Sequence, residues 1–351
     1  MYFKKIIATL LFLTVTVGRL VACGNDTTSN ISNKDDNKTT SNKSSDTKEI
    51  ENDKISIVTT IFPEYDWVRE IMGDRFADAD VTMLLDNGVD LHSYQPTTED
   101  IMKITQCDLF IYVGGESDEW VGDVMKEANN PDMKVINLLE VLEGDVKEEE
   151  IVEGMEAEEE DEEENEDSEE EEIEYDEHVW LSLKNTQKIC SVIAQTIEEI
   201  DSENADIYAS NVEAYNEKLN ALDEEYKKVA DEASIKTVLF GDRFPFRYLV
   251  DDYNLSYYAA FVGCSAESEA SFDTILFLAN KLDELNLSAI FTIEGSDQKI
   301  AEAIKNATSS KDQEILTIDS LQSTTAKDLE EGKTYLSTMT DNLEVLKQGL
   351  K

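Results

Sequence analysis

Two series of short apolar runs flank one long amphipathic segment, and that arrangement leaves few folds open. The first series is Ile57 to Phe62, Val81 to Leu85, Leu109 to Val113 and Val135 to Leu138. The second is Thr237 to Phe240, Ser256 to Phe261, Ala289 to Ile293 and Ile315 to Ile318, with helical stretches such as Phe272 to Leu285 between them. Short apolar strands alternating with helices predict a largely parallel sheet covered on both faces. Between the series, Tyr208, Val212, Tyr215, Leu219, Leu222, Tyr226 and Val229 recur at alternating steps of four and three, which is one sustained helix face. Asp201 or Ser202 is placed to cap its start. The four prolines, Pro63, Pro96, Pro131 and Pro245, all fall outside these elements, where they cost no ladder or helix bond. The expected fold is α/β: two lobes, each a mostly parallel sheet flanked by helices, joined by a single long helix. A chain of 351 residues is long enough for both. A stiff helical joint favours small rocking over wide hinge closure.

The predicted layout is a first lobe over 53–200, the linking helix over 201–233 and a second lobe over 234–351. Lys4 and Lys5, the apolar run Ile6 to Val17 and then Leu20-Val21-Ala22-Cys23 form a secretory signal over 1–22. The run is too short to span a bilayer. The tetrapeptide Leu20-Val21-Ala22-Cys23 resembles the lipobox of bacterial lipoproteins, which implies lipidation of Cys23 and an extracytoplasmic chain anchored to the cell membrane. Residues 23–52, nearly all Ser, Thr, Asn, Asp and Lys from Gly24 onward, read as a flexible tether.

A formal charge of -49, from 79 acidic against 30 basic residues, repels nucleic-acid phosphates and anionic lipid and makes cations the natural partners. Much of the excess lies in Glu143 to Glu177, expected to be a disordered acidic insertion. After processing, Cys107, Cys190 and Cys264 remain; none has CxxC or metal-ligand spacing, and all three read as small buried residues.

Only two histidines occur, His92 in Val89-Asp90-Leu91-His92-Ser93-Tyr94-Gln95-Pro96-Thr97 and His178 in Asp176-Glu177-His178-Val179-Trp180-Leu181. Those two runs resemble the zinc- and manganese-type (cluster A-I) substrate-binding lipoproteins of metal ABC importers. So do Asp108-Leu109-Phe110-Ile111-Tyr112-Val113-Gly114-Gly115, the Tyr208-to-Leu222 helix and the tail around Tyr335-Leu336-Ser337-Thr338-Met339. The resemblance runs from about Ile55 to the C-terminus and is strongest to the zinc-binding members. It implies a monomeric receptor that takes a divalent metal in the cleft between two lobes and delivers it to a membrane permease. It also implies that His92 and His178 bind the metal: Zn2+, or alternatively Mn2+ or Fe2+. Imidazole with carboxylate suits all three ions.

The second lobe departs from the pattern. In Gly241-Asp242-Arg243-Phe244-Pro245-Phe246-Arg247-Tyr248, Arg243 takes the place where the family carries a histidine or glutamate ligand, and arginine cannot bind a metal. Two readings are open: Asp242 substitutes as ligand, or Arg243 is a structural cation paired with Glu267 or Glu269 and the site has three protein ligands. The family's last ligand falls at Asp297 in Ile293-Glu294-Gly295-Ser296-Asp297, with Glu294 as its partner; alternatively Asp297 caps the helix starting near Gln298. Zinc-type members often carry a histidine-rich insertion before the second histidine, and here carboxylates stand in its place. Two rival classes remain. A metallohydrolase would need an open coordination position and a general base, and no HExxH motif is present, so the chain is expected not to be an enzyme. A surface adhesin with a structural metal would leave the acidic insertion without a transport role.

Overall fold

The computed structural model describes residues 54–156, 174–265 and 269–351. The signal at 1–22, Cys23, the tether over 23–52 and Glu267 lie outside them. All eight expected strands form: β1 Ser56–Thr59, β2 Asp80–Met83, β3 Leu109–Tyr112, β4 Lys134–Asn137, β5 Thr237–Phe244, β6 Ser256–Val262, β7 Ala289–Ile293 and β8 Glu314–Ile318. They build two four-stranded sheets, ordered β2-β1-β3-β4 and β6-β5-β7-β8, with parallel pairings throughout. Helices cover both sheets, which is why the strands read as near-continuous apolar runs: Leu109, Phe110 and Ile111 are fully buried, and so are most of Ala289 to Ile293.

In a parallel sheet all carboxyl ends point one way, and ligands gather just beyond them. His92 follows β2, Ser117 follows β3, Arg243 sits near the end of β5, Cys264 follows β6, Glu294 follows β7 and Ser320 follows β8. The two lobes thus offer their strand ends to a common cleft.

The linking helix runs Ala205–Glu232, 28 residues, or about 42 Å at 1.5 Å per residue. Its buried face is Tyr208, Tyr215, Leu219, Leu222, Tyr226 and Ala230, close to the expected stripe. The helix start differs from expectation: Asn204 occupies the cap without a side-chain bond, and neither Asp201 nor Ser202 caps. Asp201 instead accepts from Asn204 Nδ2 at 2.7 Å and from the Tyr208 hydroxyl at 2.6 Å, pinning the first turn from outside. A second connection braces the lobes. The C-terminal helix Tyr335–Gly349 returns to the first lobe, where Tyr335 N donates to Asp66 at 2.7 Å and the Tyr335 hydroxyl donates to Trp180 O at 2.6 Å.

The expectation of disorder across 143–177 is corrected at both ends. Glu149 N donates to Glu174 O at 3.0 Å and Asp176 N to Lys147 O at 2.9 Å, so the two flanks pair with each other. Met155 is buried, and Glu156 N donates to Ala260 O at 2.9 Å beside β6. The reason is that Val146, Val152 and Met155 punctuate the acidic run, and all three pack on the core.

Candidate metal centre

Each histidine is set by an aspartate two residues before it. Asp90 accepts from His92 N at 3.1 Å, holding the turn Leu91–Ser93, and Leu91 is buried beneath it. Asp176 accepts from His178 N at 2.9 Å. The ring contacts then differ. His178 Nδ1 lies 3.0 Å from the same Asp176 oxygen, whereas His92 Nδ1 lies 2.7 Å from Ser117 Oγ and 3.5 Å from Glu177 Oε2. In both rings the Nδ1 atom is engaged by the first lobe, which leaves Nε2 for the cleft, the arrangement that orients an imidazole toward a metal. The two Nε2 atoms are 3.3 Å apart.

Gly115 makes room for this. With φ of 82° it opens the turn that carries Ser117, and a Cβ there would stand 2.3 Å from Glu177 Oε1, the oxygen that accepts from Ser117 N at 2.9 Å. Below, the Trp180 indole N–H donates to Ser320 O at 2.9 Å and stacks obliquely on His178, so His178 is fully buried and cannot swing away.

The second lobe contributes differently from expectation. Arg243 pairs with Asp90, Nη2 to Oδ2 2.8 Å, and its other arm donates to Ser265 O at 3.4 Å. The partner of Arg243 is thus Asp90 of the first lobe; Glu269 is exposed and Glu267 is outside the described residues. Asp242 is turned into its own backbone, accepting from Arg243 N at 2.9 Å and Ile293 N at 3.4 Å. Asp297 is on the surface, where it accepts from Lys299 N at 3.0 Å and pairs with the Lys299 ammonium. Neither carboxylate is brought to the histidines. Among the described residues, the one set of three or more metal-capable side chains with mutually close donor atoms is His92, His178 and Cys264, whose ligand atoms all lie within 4.8 Å of one another.

Glu294 works at one remove. Its carboxylate accepts from Ser320 N at 2.6 Å and Ser320 Oγ at 2.7 Å, and so fixes the loop that carries Gln322. In the amide orientation that satisfies both neighbours, Gln322 nitrogen is 3.1 Å from each Asp90 oxygen and its oxygen 3.0 Å from His178 Nε2. Sequence reasoning missed Asp90, Asp176, Gln322 and Cys264. The Asp-x-His spacing repeated at both histidines was the available signal for the first two.

A cavity of about 610 Å³ opens over His92, lined by Glu116, Glu119, Glu149, Glu174 and Glu177 against the single guanidinium of Arg243. Burial, reinforced by Asp176, pushes Glu149 up to about 7. Burial holds His92 down to about 3, with the neighbouring His178 charge adding to the effect. For His178, burial opposes the charge, but Asp176, Glu177 and Asp90 outweigh it and the pKa is raised above 6.5. Of the two rings, His178 is the one whose charged form its neighbours favour, and His92 the one that burial holds neutral.

The flanks of the acidic run form the cavity wall, so where that run is cut decides the outcome. Replacing residues 157–173, of which 13 are Asp or Glu, with a short Gly/Ser linker is expected to leave the melting temperature and the tight metal site unchanged. Extending the deletion through Asp176 is expected to abolish tight binding, because His178 loses its anchor. Calorimetric titration of both variants checks this.

The family described as zinc-uptake complex component A, periplasmic, matches residues 57–349. The high-affinity zinc uptake system protein ZnuA of Bacillus subtilis is 30% identical over 331 residues, covering 94% of this chain and 93% of that protein. The zinc-binding protein AdcA of Streptococcus pyogenes is 28% identical over 298 residues, covering 84% of this chain; the chain spans only 56% of AdcA's length. The crystal structure of the Zn(II)-bound ZnuA-like domain of Streptococcus pneumoniae AdcA superposes with a TM-score of 0.65 at 26% identity, covering 85% of this chain and 99% of that one. With two parallel four-stranded sheets and a match over 57–349, the chain belongs to the family of periplasmic zinc-uptake component A proteins.

Proposed function

We propose that the chain is an extracytoplasmic solute-binding receptor, rather than an enzyme, that captures zinc between its lobes through His92 and His178 and delivers it to the permease of an ABC importer. The observation that carries this is the 3.3 Å separation of the two Nε2 atoms. Two nitrogens bound at about 2.05 Å to one tetrahedral zinc are about 3.3 Å apart, so the pair already has the bite of the ion. Two zinc-named relatives, one matched along nearly its whole length, support zinc over manganese or iron(II). The glutamates around the cavity draw cations toward the cleft and repel anions. Lipid attachment at Cys23 would keep the receptor at the membrane that houses its permease.

Elemental analysis of the chain purified without added metal, followed by calorimetric titration of the stripped protein, tests the reading. One zinc per chain, bound at a single tight site that is absent in a His92→Ala, His178→Ala double variant, is the expected result. Co-purification of no divalent metal, together with flat zinc titrations of the stripped chain, would overturn it.

A further inference from the structure

What the second lobe gives to the metal follows from where its candidate donors point. Arg243 has no lone pair and is spent on Asp90 and Ser265 O. Asp242 faces backbone N–H groups and Asp297 faces Lys299. Cys264 is the second-lobe group whose ligand atom, Sγ, lies within 4.8 Å of both imidazoles. It is in no disulfide, and unlike Cys107 and Cys190 it is not fully buried but lines the cavity. The loop around it is built for the approach. A Cβ at Gly263 would stand 2.8 Å from His178 Cε1, so only glycine lets the end of β6 lie against the histidine ring. Arg243, holding Asp90 with one arm and Ser265 O with the other, ties the His92 turn to the Cys264 turn across the cleft.

We infer that Cys264 is the second-lobe metal ligand, making a two-histidine, one-thiolate site selective for thiophilic divalent cations. This inference rests on the metal-receptor reading and deepens it. A tetrahedral zinc with bonds of about 2.05 Å to nitrogen and 2.3 Å to sulfur needs a nitrogen-to-sulfur separation of about 3.6 Å. From within 4.8 Å, a side-chain rotation or a small rocking of the lobes closes the difference. On binding, the S–H bond breaks, its electron pair forms the S–metal bond and the proton leaves to solvent; nothing is oxidised or reduced. The consequence is discrimination. Thiolate favours zinc and its softer congeners over manganese, magnesium and calcium, which prefer oxygen. The carboxylates around the cavity gather divalent cations without distinction, and the thiol supplies the selection they lack.

Cobalt(II) reports the ligand directly. The full chain loaded with cobalt is expected to show an intense near-ultraviolet thiolate-to-cobalt charge-transfer band, and Cys264→Ser to lose that band while retaining the weaker visible bands of bound cobalt. Zinc affinity of Cys264→Ser is expected to fall by at least about tenfold with manganese affinity changed by less than about twofold, so that the zinc-to-manganese ratio drops. A wild-type cobalt complex without the charge-transfer band, or a Cys264→Ser variant with unchanged spectrum and zinc affinity, overturns the thiolate while leaving the histidine receptor standing. A wild-type chain that takes up neither cobalt nor zinc overturns both.

Discussion

Replacing His178 with alanine is expected to lower zinc affinity by more than about 100-fold, since removing even an outer partner of a metal ligand typically costs about 10–100-fold and this removes the ligand itself. The loss has two sources in the structure. One nitrogen of a pair already spaced for the ion disappears. Asp176, 3% exposed, also loses its contact to the ring and keeps only the backbone amide of residue 178 on that oxygen, so some folding stability is expected to be lost as well. His92→Ala is expected to match the affinity loss with less destabilisation, because His92 is partly exposed and its Nδ1 partner Ser117 stays anchored to Glu177. Titration calorimetry and thermal melts on the two variants separate these effects. If both variants keep wild-type zinc affinity, the cleft is not the site and the receptor reading falls with it.

The fold was legible because its signals are local and repeated. Eight apolar runs became eight strands, and a step of four and three became the linking helix, since burial on both sheet faces and along one helix face leaves an unmistakable period. The histidines were legible from the runs that contain them. The second lobe was not. Asp297 and Asp242 sit where carboxylate ligands were expected, yet each finds a nearer donor: Lys299 for one, the Arg243 and Ile293 amides for the other. Short acidic side chains beside free backbone N–H groups satisfy those first, and sequence spacing does not say which contact wins. A structural role for Arg243 was one of the two readings left open, and its partner lies 153 positions away in the other lobe, a contact no local pattern encodes. Cys264 has no thiol neighbour in sequence, so only the folding of β6 against His178 reveals it. The acidic run failed in the opposite sense: its charge hid the few apolar residues that fold its flanks.

The pH dependence of zinc affinity is expected to break above pH 6.5, with the low-pH arm one logarithmic unit per pH unit steeper than the high-pH arm. His92, held down to about 3 by burial and the His178 charge, is neutral across the accessible range and contributes no break. His178 is the group that titrates. Burial opposes its charge, but Asp176, Glu177 and Asp90 raise its pKa above the ordinary value, so in the metal-free cleft it keeps a proton to higher pH than a free imidazole would. A metal must displace that proton. Below the break each unit of acid therefore removes about tenfold in affinity, and above it this contribution vanishes. Any proton displaced from another ligand adds the same slope to both arms and leaves the difference intact. Asp176→Asn keeps an oxygen beside Nδ1 and removes the charge, so the break is expected to move to lower pH, while Asp123→Asn, at an exposed carboxylate paired with Lys126, is expected to leave it in place. Competition titrations with a zinc indicator across the pH range read the break directly. A break that ignores Asp176→Asn, or a profile of constant slope with no break above pH 6.5, would show that His178 does not hold the proton the metal replaces.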